Sequence, residues 1–363
     1  MGNNFFFGLG SEALSMKNKT YHDRMQRYAE KIDDLNIVSV SRSSKFFDVK
    51  SFKTGKVSFH IIQSKFPVLS VFYGIILILR LGAFRATIYF QDSLKFCLIL
   101  VFFRAFLRAR CIAGVHYEVS REYSVRIFLL RLFADKIRVL TFSQKKVFIK
   151  RGLNEDQISV VATPVMLLDY LKQNSDVSTY DRDLEKSVAP IKLIYVGRLA
   201  HTKRIGELLD FIRKYIDVHL TLVAPISSRE VGFDVSRMAR AVDKIDNVVW
   251  YDNGLWGDEL IHMLAASDGL ISFSSEEGFG KVYVEALALG IPVITRANAG
   301  AASIATVAKG MFLFHEVNEL VLFFSNLKFN LGLEKTEAEK NKYNIREYFD
   351  PDFNINLFCD LFS

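Results

Sequence analysis

"SSEEGFGKVYVEALALGIPVI", residues 274–294, decides the fold. It opens in a polar turn, passes the glycines 278 and 280, and enters a short apolar helix that Gly290 and Pro292 stop before a strand. The stretch before it, "GLISFSS", is apolar enough for a buried strand. Strand, glycine turn and helix make one βα unit, whose ligands belong beyond the strand's C-terminal end where the next helix points its free N–H groups. Those donors, near Phe279, Gly280 and Lys281, favour an anion, and Gly278 and Gly280 let it approach the backbone. Glu277 and Glu285 flank them. A carboxylate only accepts hydrogen bonds, so its natural partner is a pair of hydroxyls, as on a ribose or hexose. A second reading stays open: Glu277 complements the helix dipole, and Glu285 pairs with Lys281 four residues before it.

Outward from this unit, strands alternate with helices along both halves of the chain. The first half reads "NNFFFGLG", a helix near His22–Asp34, then strands in "NIVSVSR", "VSFHIIQ", "ATIYFQD", "RCIAGVHY" and "KIRVLTFS" with apolar helices between. The region between "NIVSVSR" and "VSFHIIQ" reads as a loop rich in Lys. Residues 171–190, polar and acidic, break the rhythm and read as a linker. A second series starts at "IKLIYVGRL" and runs through "VHLTLVAP", "NVVWYDN", "GLISFSS" and "IPVITR". The pattern predicts two α/β domains of the doubly wound kind. Their expected bounds are 1–170 and 191–345, with a tail 346–363 that can return to the first domain.

Composition narrows the class. The 363 residues are half hydrophobic and carry a net charge of +7, which excludes a disordered chain. The charge is uneven: Met1 to Arg151 holds 26 Lys and Arg against 10 Asp and Glu, a formal +16, and the remainder is −9. A basic first half implies an anionic partner there, whether nucleic acid, anionic membrane or phosphorylated substrate. Three scattered cysteines, Cys97, Cys111 and Cys359, make neither a disulfide framework nor a zinc site and suit a reducing cytosol. No signal peptide is read, and no apolar run reaches the ~18 residues of a spanning helix. "VFFRAFLRAR" and "VRIFLLRLF" mix Phe, Leu and Arg, as core helices with one exposed face do and as membrane-surface helices do. Nucleic acid is not expected, since no regular basic–aromatic interleaving is present.

A second constellation lies in "LIYVGRLAHTKRIGELLDFI", where Arg198 and Lys203 follow Gly197 in a turn at a strand end. Two cations there can hold a diphosphate, or form an ordinary solvated turn. Together with "NVVWYDNGLW", "GVHYEV" and the opening stretch, this resembles the family 4 glycosyltransferases of GT-B fold, most firmly over 191–300. The resemblance implies two Rossmann-like domains facing a cleft and retaining transfer from a nucleoside-diphosphate sugar without metal or cofactor. It implies that Glu277 contacts the donor sugar, Glu285 holds the ribose, and Arg198 and Lys203 grip the diphosphate. Asn253 and Gly254 would lie near the base, and His116 would touch the sugar or simply pack at its strand end. A glycan or lipid-linked acceptor and a cytoplasmic, membrane-peripheral location follow as expectations. The sequence departs from the family's pattern in lacking a Gly-rich loop beyond Gly8 and Gly10, and in "RANAGAASI", which keeps Gly300 without an acid. Two readings from other classes remain: a non-catalytic basic protein binding membrane or nucleic acid on the same scaffold, and a sugar-nucleotide epimerase.

Overall fold

The computed structural model describes residues 4–9, 19–42, 46–82, 84–91, 103–116, 124–174, 189–230 and 232–363. Gly10, Cys97, most of the apolar helix expected between "ATIYFQD" and "RCIAGVHY" and the middle of the 171–190 linker lie outside them. The chain divides into two compact units: Met1–Pro164 with Asp352–Ser363, and Val165–Pro351.

The first unit is built on eight strands: β1 (Asn4–Leu9), β2 (Leu35–Arg42), β3 (Phe47–Thr54), β4 (Val57–Ser64), β5 (Thr87–Gln91), β6 (Arg110–Val115), β7 (Lys136–Val139) and β8 (Ile158–Val160). Their order is β3-β4-β2-β1-β5-β6-β7-β8, parallel throughout except β3, which runs antiparallel to β4. Alternation places side chains on both faces, and both are buried. Phe5 and Phe7 point to one core with Ile88, Phe90, Cys111 and Ala113, while Phe6, Tyr89 and Ile112 point to the other. A strand covered on both sides reads as a continuous apolar run, which is why "NFFFGL" carries no polar alternation.

Helix Pro67–Arg80 covers the first face. Helix Lys19–Ile32 covers the second with Met25, Tyr28 and Ala29. The final helix Pro351–Asp360 joins that second core through Ile355, Phe358 and Cys359. The Phe358 ring stacks on Tyr28 at 4.2 Å and meets Tyr89 edge-on at 5.1 Å.

Three details differ from the sequence reading. Residues 47–54, read as loop, form the edge strand β3. It is mostly exposed, so it lacks the apolar alternation that marks a half-buried strand. Its two-residue turn to β4 has Gly55 at φ +55°, a conformation that glycine adopts readily. Helix Phe142–Lys150 starts earlier than expected because Thr141 and Gln144 form a reciprocal capping box. The unit border falls at Pro164 rather than 170, because helix Leu167–Gln173 buries Leu167, Leu168 and Leu171 within the second unit.

The second unit holds β9 (Ile191–Val196), β10 (Val218–Val223), β11 (Val248–Tyr251), β12 (Gly269–Ser272), β13 (Val293–Arg296) and β14 (Met311–Phe314), all parallel, in the order β11-β10-β9-β12-β13-β14. The order reverses between β9 and β12, so the helices that follow these neighbours leave in different directions and their C-terminal ends open a crevice. Both sheets match the doubly wound expectation. Among the described residues no helix is long and apolar enough to cross a membrane.

The returning helix makes a stability prediction. Phe358 is fully buried, so Phe358→Ala should destabilise the first unit by roughly 3–5 kcal/mol, the usual cost of a deleted core aromatic. Urea unfolding followed by tyrosine fluorescence measures it. A loss below 1 kcal/mol would show that the helix is not part of that unit's core.

Candidate functional site

Parallel pairing of β9 with β12 puts the turns that follow them side by side. The two turns are joined: Ser275 donates both its backbone N–H (2.8 Å) and its hydroxyl (3.1 Å) to the Thr202 carbonyl. That junction brings together residues 74 positions apart, because Lys203 Nζ forms an ion pair with Glu277 Oε1. The ammonium also donates to Ser274 Oγ at 3.3 Å. Lys203 is buried, and a buried ammonium is costly unless paired and hydrogen-bonded, so the carboxylate and hydroxyl account for its position. Arg198 opens the same turn exposed, with no ion pair among the described residues. Gly197 lies under the Tyr195 hydroxyl, which a Cβ there would meet at 2.6 Å. Burial pushes the Tyr195 hydroxyl well above its usual value, and the nearby Glu277 carboxylate adds to the shift, so it stays protonated.

Helix Lys281–Ala288 starts with Gly280 in the left-handed region at φ +85° and has no side-chain cap. Its N-terminal amide groups are therefore not covered by a capping side chain, the arrangement that suits an anion. The Phe279 side chain is buried, its ring 5.7 Å from that of Phe349, which leaves its backbone as the usable part. Glu285 is almost fully buried one turn into the helix and pairs with Lys281 at 3.1 Å, the pairing weighed from the sequence. Arg346 Nε donates to the Ala288 carbonyl at 2.9 Å, a cation against the negative end of this helix.

Asn253 and Gly254 lie beyond β11, at the edge of the sheet and two strands away from β9. Gly254 turns the chain at φ +78°. His116 follows β6 in the first unit, where its Nε2 shares a 2.8 Å hydrogen bond with the Tyr89 hydroxyl. Burial, and the cations Arg138 and Arg24, hold its imidazole well below the usual histidine value, so it is neutral at pH 7. The sequence candidates Arg198, Lys203, Glu277, Gly278, Phe279, Gly280, Lys281 and Glu285 thus meet at the ends of β9 and β12, while His116 belongs to the other unit.

Sequence reasoning missed the supports. Asn298 donates to the Ser274 and Arg296 carbonyls at 3.1 Å each and caps the next helix by accepting from Ala301 N at 2.9 Å. The "N-A-G-A" after β13 was the available signal. Tyr283 donates to Ser272 Oγ and accepts from Thr295 Oγ1, each at 3.1 Å. Its alternation with apolar neighbours hid a polar role. Among the described residues, no group of three His, Cys, Asp or Glu side chains is placed to hold a metal ion.

Residues 176–321 match the family Glycosyl transferases group 1. An uncharacterized 41.2 kDa protein in the cps region of Klebsiella pneumoniae is 27% identical over 238 residues. That match spans 63% of this chain and 62% of the relative, about three fifths of its length. The Anabaena protein HepE in complex with UDP superposes with a TM-score of 0.68 over 99% of this chain and 98% of its own, at 17% identity. Sucrose-phosphate synthase from Thermosynechococcus elongatus superposes with a TM-score of 0.72 over 99% and 98%, at 16% identity. The architecture is the GT-B fold, and the family match falls on the unit that carries the paired cations and acids.

Gly300 tests how rigid this site is. A Cβ there would lie 2.8 Å from the Phe279 carbonyl oxygen and 2.9 Å from that of Glu277, both backbone. Gly300→Ala should cost about 1–3 kcal/mol by overpacking and displace the 277–279 turn. Thermal melting gives the cost, and amide exchange at Phe279 and Gly280 reads the displacement. Unchanged exchange at those amides would refute the rigid-turn reading.

Proposed function

We propose that this chain, with its group 1 glycosyl transferase match over 176–321, is a retaining glycosyltransferase. It moves a hexose-type sugar from a nucleoside-diphosphate sugar to a glycan or lipid-linked acceptor, without metal or cofactor. The observation that carries the reading is the Lys203–Glu277 ion pair beside an uncapped helix start at the β9–β12 switch, with Arg198 in the same turn as Lys203 and Glu285 one turn into that helix. The bond that breaks joins the anomeric carbon to a diphosphate oxygen, and its electron pair leaves with the nucleoside diphosphate. The acceptor hydroxyl oxygen makes the new bond from the face the diphosphate leaves, and its proton passes to the departing diphosphate oxygen. Charge grows on the departing diphosphate, where Arg198, Lys203 and the amides of Phe279, Gly280 and Lys281 stabilise it in place of a metal. Glu277 orients Lys203 and faces the sugar hydroxyls. Glu285 takes the ribose hydroxyls, Asn253 and Gly254 flank the base, and His116 supplies a neutral imidazole from the first unit. Support for the donor class comes from the Anabaena structures holding UDP and UDP-glucose, and for a surface-glycan role from the Klebsiella relative in a cps region.

The same reading places the first unit on an anionic membrane from the cytoplasmic side. Phe72, Phe106, Phe128 and Leu132 are 62%, 72%, 57% and 55% exposed in a unit rich in Lys and Arg. The basic residues near Phe106 are not equivalent. Arg104 is paired with Asp135 at 2.8 Å, and Arg110 donates to the Ser363 carbonyl oxygen. The exposed apolar side chains therefore give a cleaner test than the arginines.

Calorimetry with UDP and turnover of UDP-glucose test the donor site. Glu285→Ala and Arg198→Ala should weaken UDP binding. Glu277→Ala should leave UDP binding within a few-fold and lower turnover by about 10²-fold or more, on the scale of a lost preorganised contact. Turnover should persist in EDTA. Equal binding losses for the two glutamate variants would remove their separate roles, and activity restored only by Mg²⁺ would remove the metal-free mechanism. For the membrane, Phe72→Ser, Phe106→Ser and Phe128→Ser together should reduce co-sedimentation with anionic vesicles. Equal recovery of the unsubstituted chain in the supernatant with neutral and anionic vesicles would end the membrane reading.

A further inference from the structure

The first unit contains a cavity of about 140 Å³ on the Lys19–Ile32 side of its sheet, lined among others by Tyr21, Arg24, Gln91, His116, Arg138 and Thr163. That is well above the ~10–15 Å³ that one water needs. It lies where the order of this sheet reverses, β1 being flanked by β2 on one side and β5 on the other. Strand-order reversals are where open α/β sheets take ligands.

Its charge is one-sided. Arg138 is 3% exposed and makes no ion pair among the described residues. It donates through Nε to the Val161 carbonyl at 2.9 Å, through Nη1 to the Tyr89 hydroxyl at 3.1 Å, and through Nη2 to the Ala162 carbonyl at 3.1 Å. A guanidinium has five N–H donors, so two remain. Arg24 lies against the Tyr21 ring, its guanidinium carbon 5.3 Å from the centroid, with a buried Nε that has no hydrogen-bond partner. No Asp or Glu is among the described lining residues. Two buried or half-buried cations facing one cavity without a carboxylate, with donors to spare, call for an anion of several oxygens.

We propose that this cavity binds the phosphate group of a ligand through Arg24 and Arg138. Gln91 and Thr163, whose side chains carry further donors, line the same space. Under the function proposed above, that ligand is the acceptor, which makes the acceptor a phosphorylated sugar or a phospholipid-type molecule. The cavity itself is argued from this unit's residues alone. His116 fits the assignment: kept neutral by burial beside two cations, it adds no third charge and can offer or accept one hydrogen bond.

The test is a calorimetric titration of the full chain with inorganic phosphate at constant ionic strength, in an Arg198→Ala background that weakens the second unit's competing anion site, with the Arg24→Gln difference assigning the binding to the first unit. Phosphate should bind, and Arg24→Gln should weaken it by tenfold or more while circular dichroism stays unchanged. Gln keeps helix propensity at this helical position. Glucose 1-phosphate and a short-chain phosphatidic acid, added separately, should compete in at least one case, and the competitor that wins names the source. Should Arg24→Gln fail to fold, phosphate protection of the β1 and β6 amides from exchange in the Arg198→Ala chain gives the same reading. No phosphate binding at tens of millimolar, equal affinity in Arg24→Gln, or competition by neither ligand would overturn the proposal. A parallel UDP titration of the unsubstituted chain reports on the donor site separately, so failure of one assignment is not mistaken for failure of the other.

Discussion

The second unit is organised around a buried lysine that must not be left alone. Lys203 sits largely below the surface in the turn after β9, its side chain 11% exposed, so little water reaches its ammonium. Removing one partner of such a pair costs several kcal/mol, because the other charge is stranded. The Glu277 carboxylate and Ser274 hydroxyl that meet it come from the turn after β12. The Thr202 carbonyl, accepting from Ser275, ties the same turns by backbone. The ion pair thus depends on β9 and β12 being neighbours.

Behind that contact lies a layer of side chains that hold the turn still. Asn298 bonds the Ser274 carbonyl, Gly300 N–H donates to the Glu277 carbonyl at 3.0 Å, and the bare Gly300 Cα makes room for the Glu277 and Phe279 carbonyls. Tyr283 anchors the following helix between Ser272 and Thr295. Helix Leu327–Tyr348 supports it from outside through Arg346. None of these groups carries a free charge into the crevice. Their work is to keep Glu277, Lys281 and Glu285 in one arrangement, as a site that stabilises developing charge requires.

The first unit repeats the same construction with different chemistry. Tyr89 sits over Gly114 as Tyr195 sits over Gly197, each hydroxyl filling the space that the glycine leaves. In the second unit Lys203 and Lys281 are paired with Glu277 and Glu285. In the first, Arg24 and Arg138 face the cavity without a described carboxylate. This pair, one buried and one half-buried, gives part of the basic excess of the first half, +16 up to Arg151, a specific location beyond a general surface field. The exposed Phe72, Phe106 and Phe128 give that half a second, apolar character at its surface.

Much of this was legible in the chain itself. Two βα series, the acids of 274–294 and the cations after "LIYVG" follow from periodicity and from residue types whose chemistry is local. What stayed hidden depends on non-local distance. The edge strand β3 has too little buried surface to leave an alternating pattern, and its place is set by pairing with β4. The final helix joins the first unit because Tyr28, Phe6 and Tyr89 leave an apolar face that only Phe358 and its neighbours fill. Arg24 and Arg138 are unremarkable in sequence, over a hundred positions apart, and share a cavity because helix Lys19–Ile32 packs on the sheet to which β7 belongs. Local sequence determined which groups are able to bind phosphate and hydroxyls. The order of the strands decided which of them stand within reach of one another, because a parallel sheet gathers the ends of distant strands along one edge.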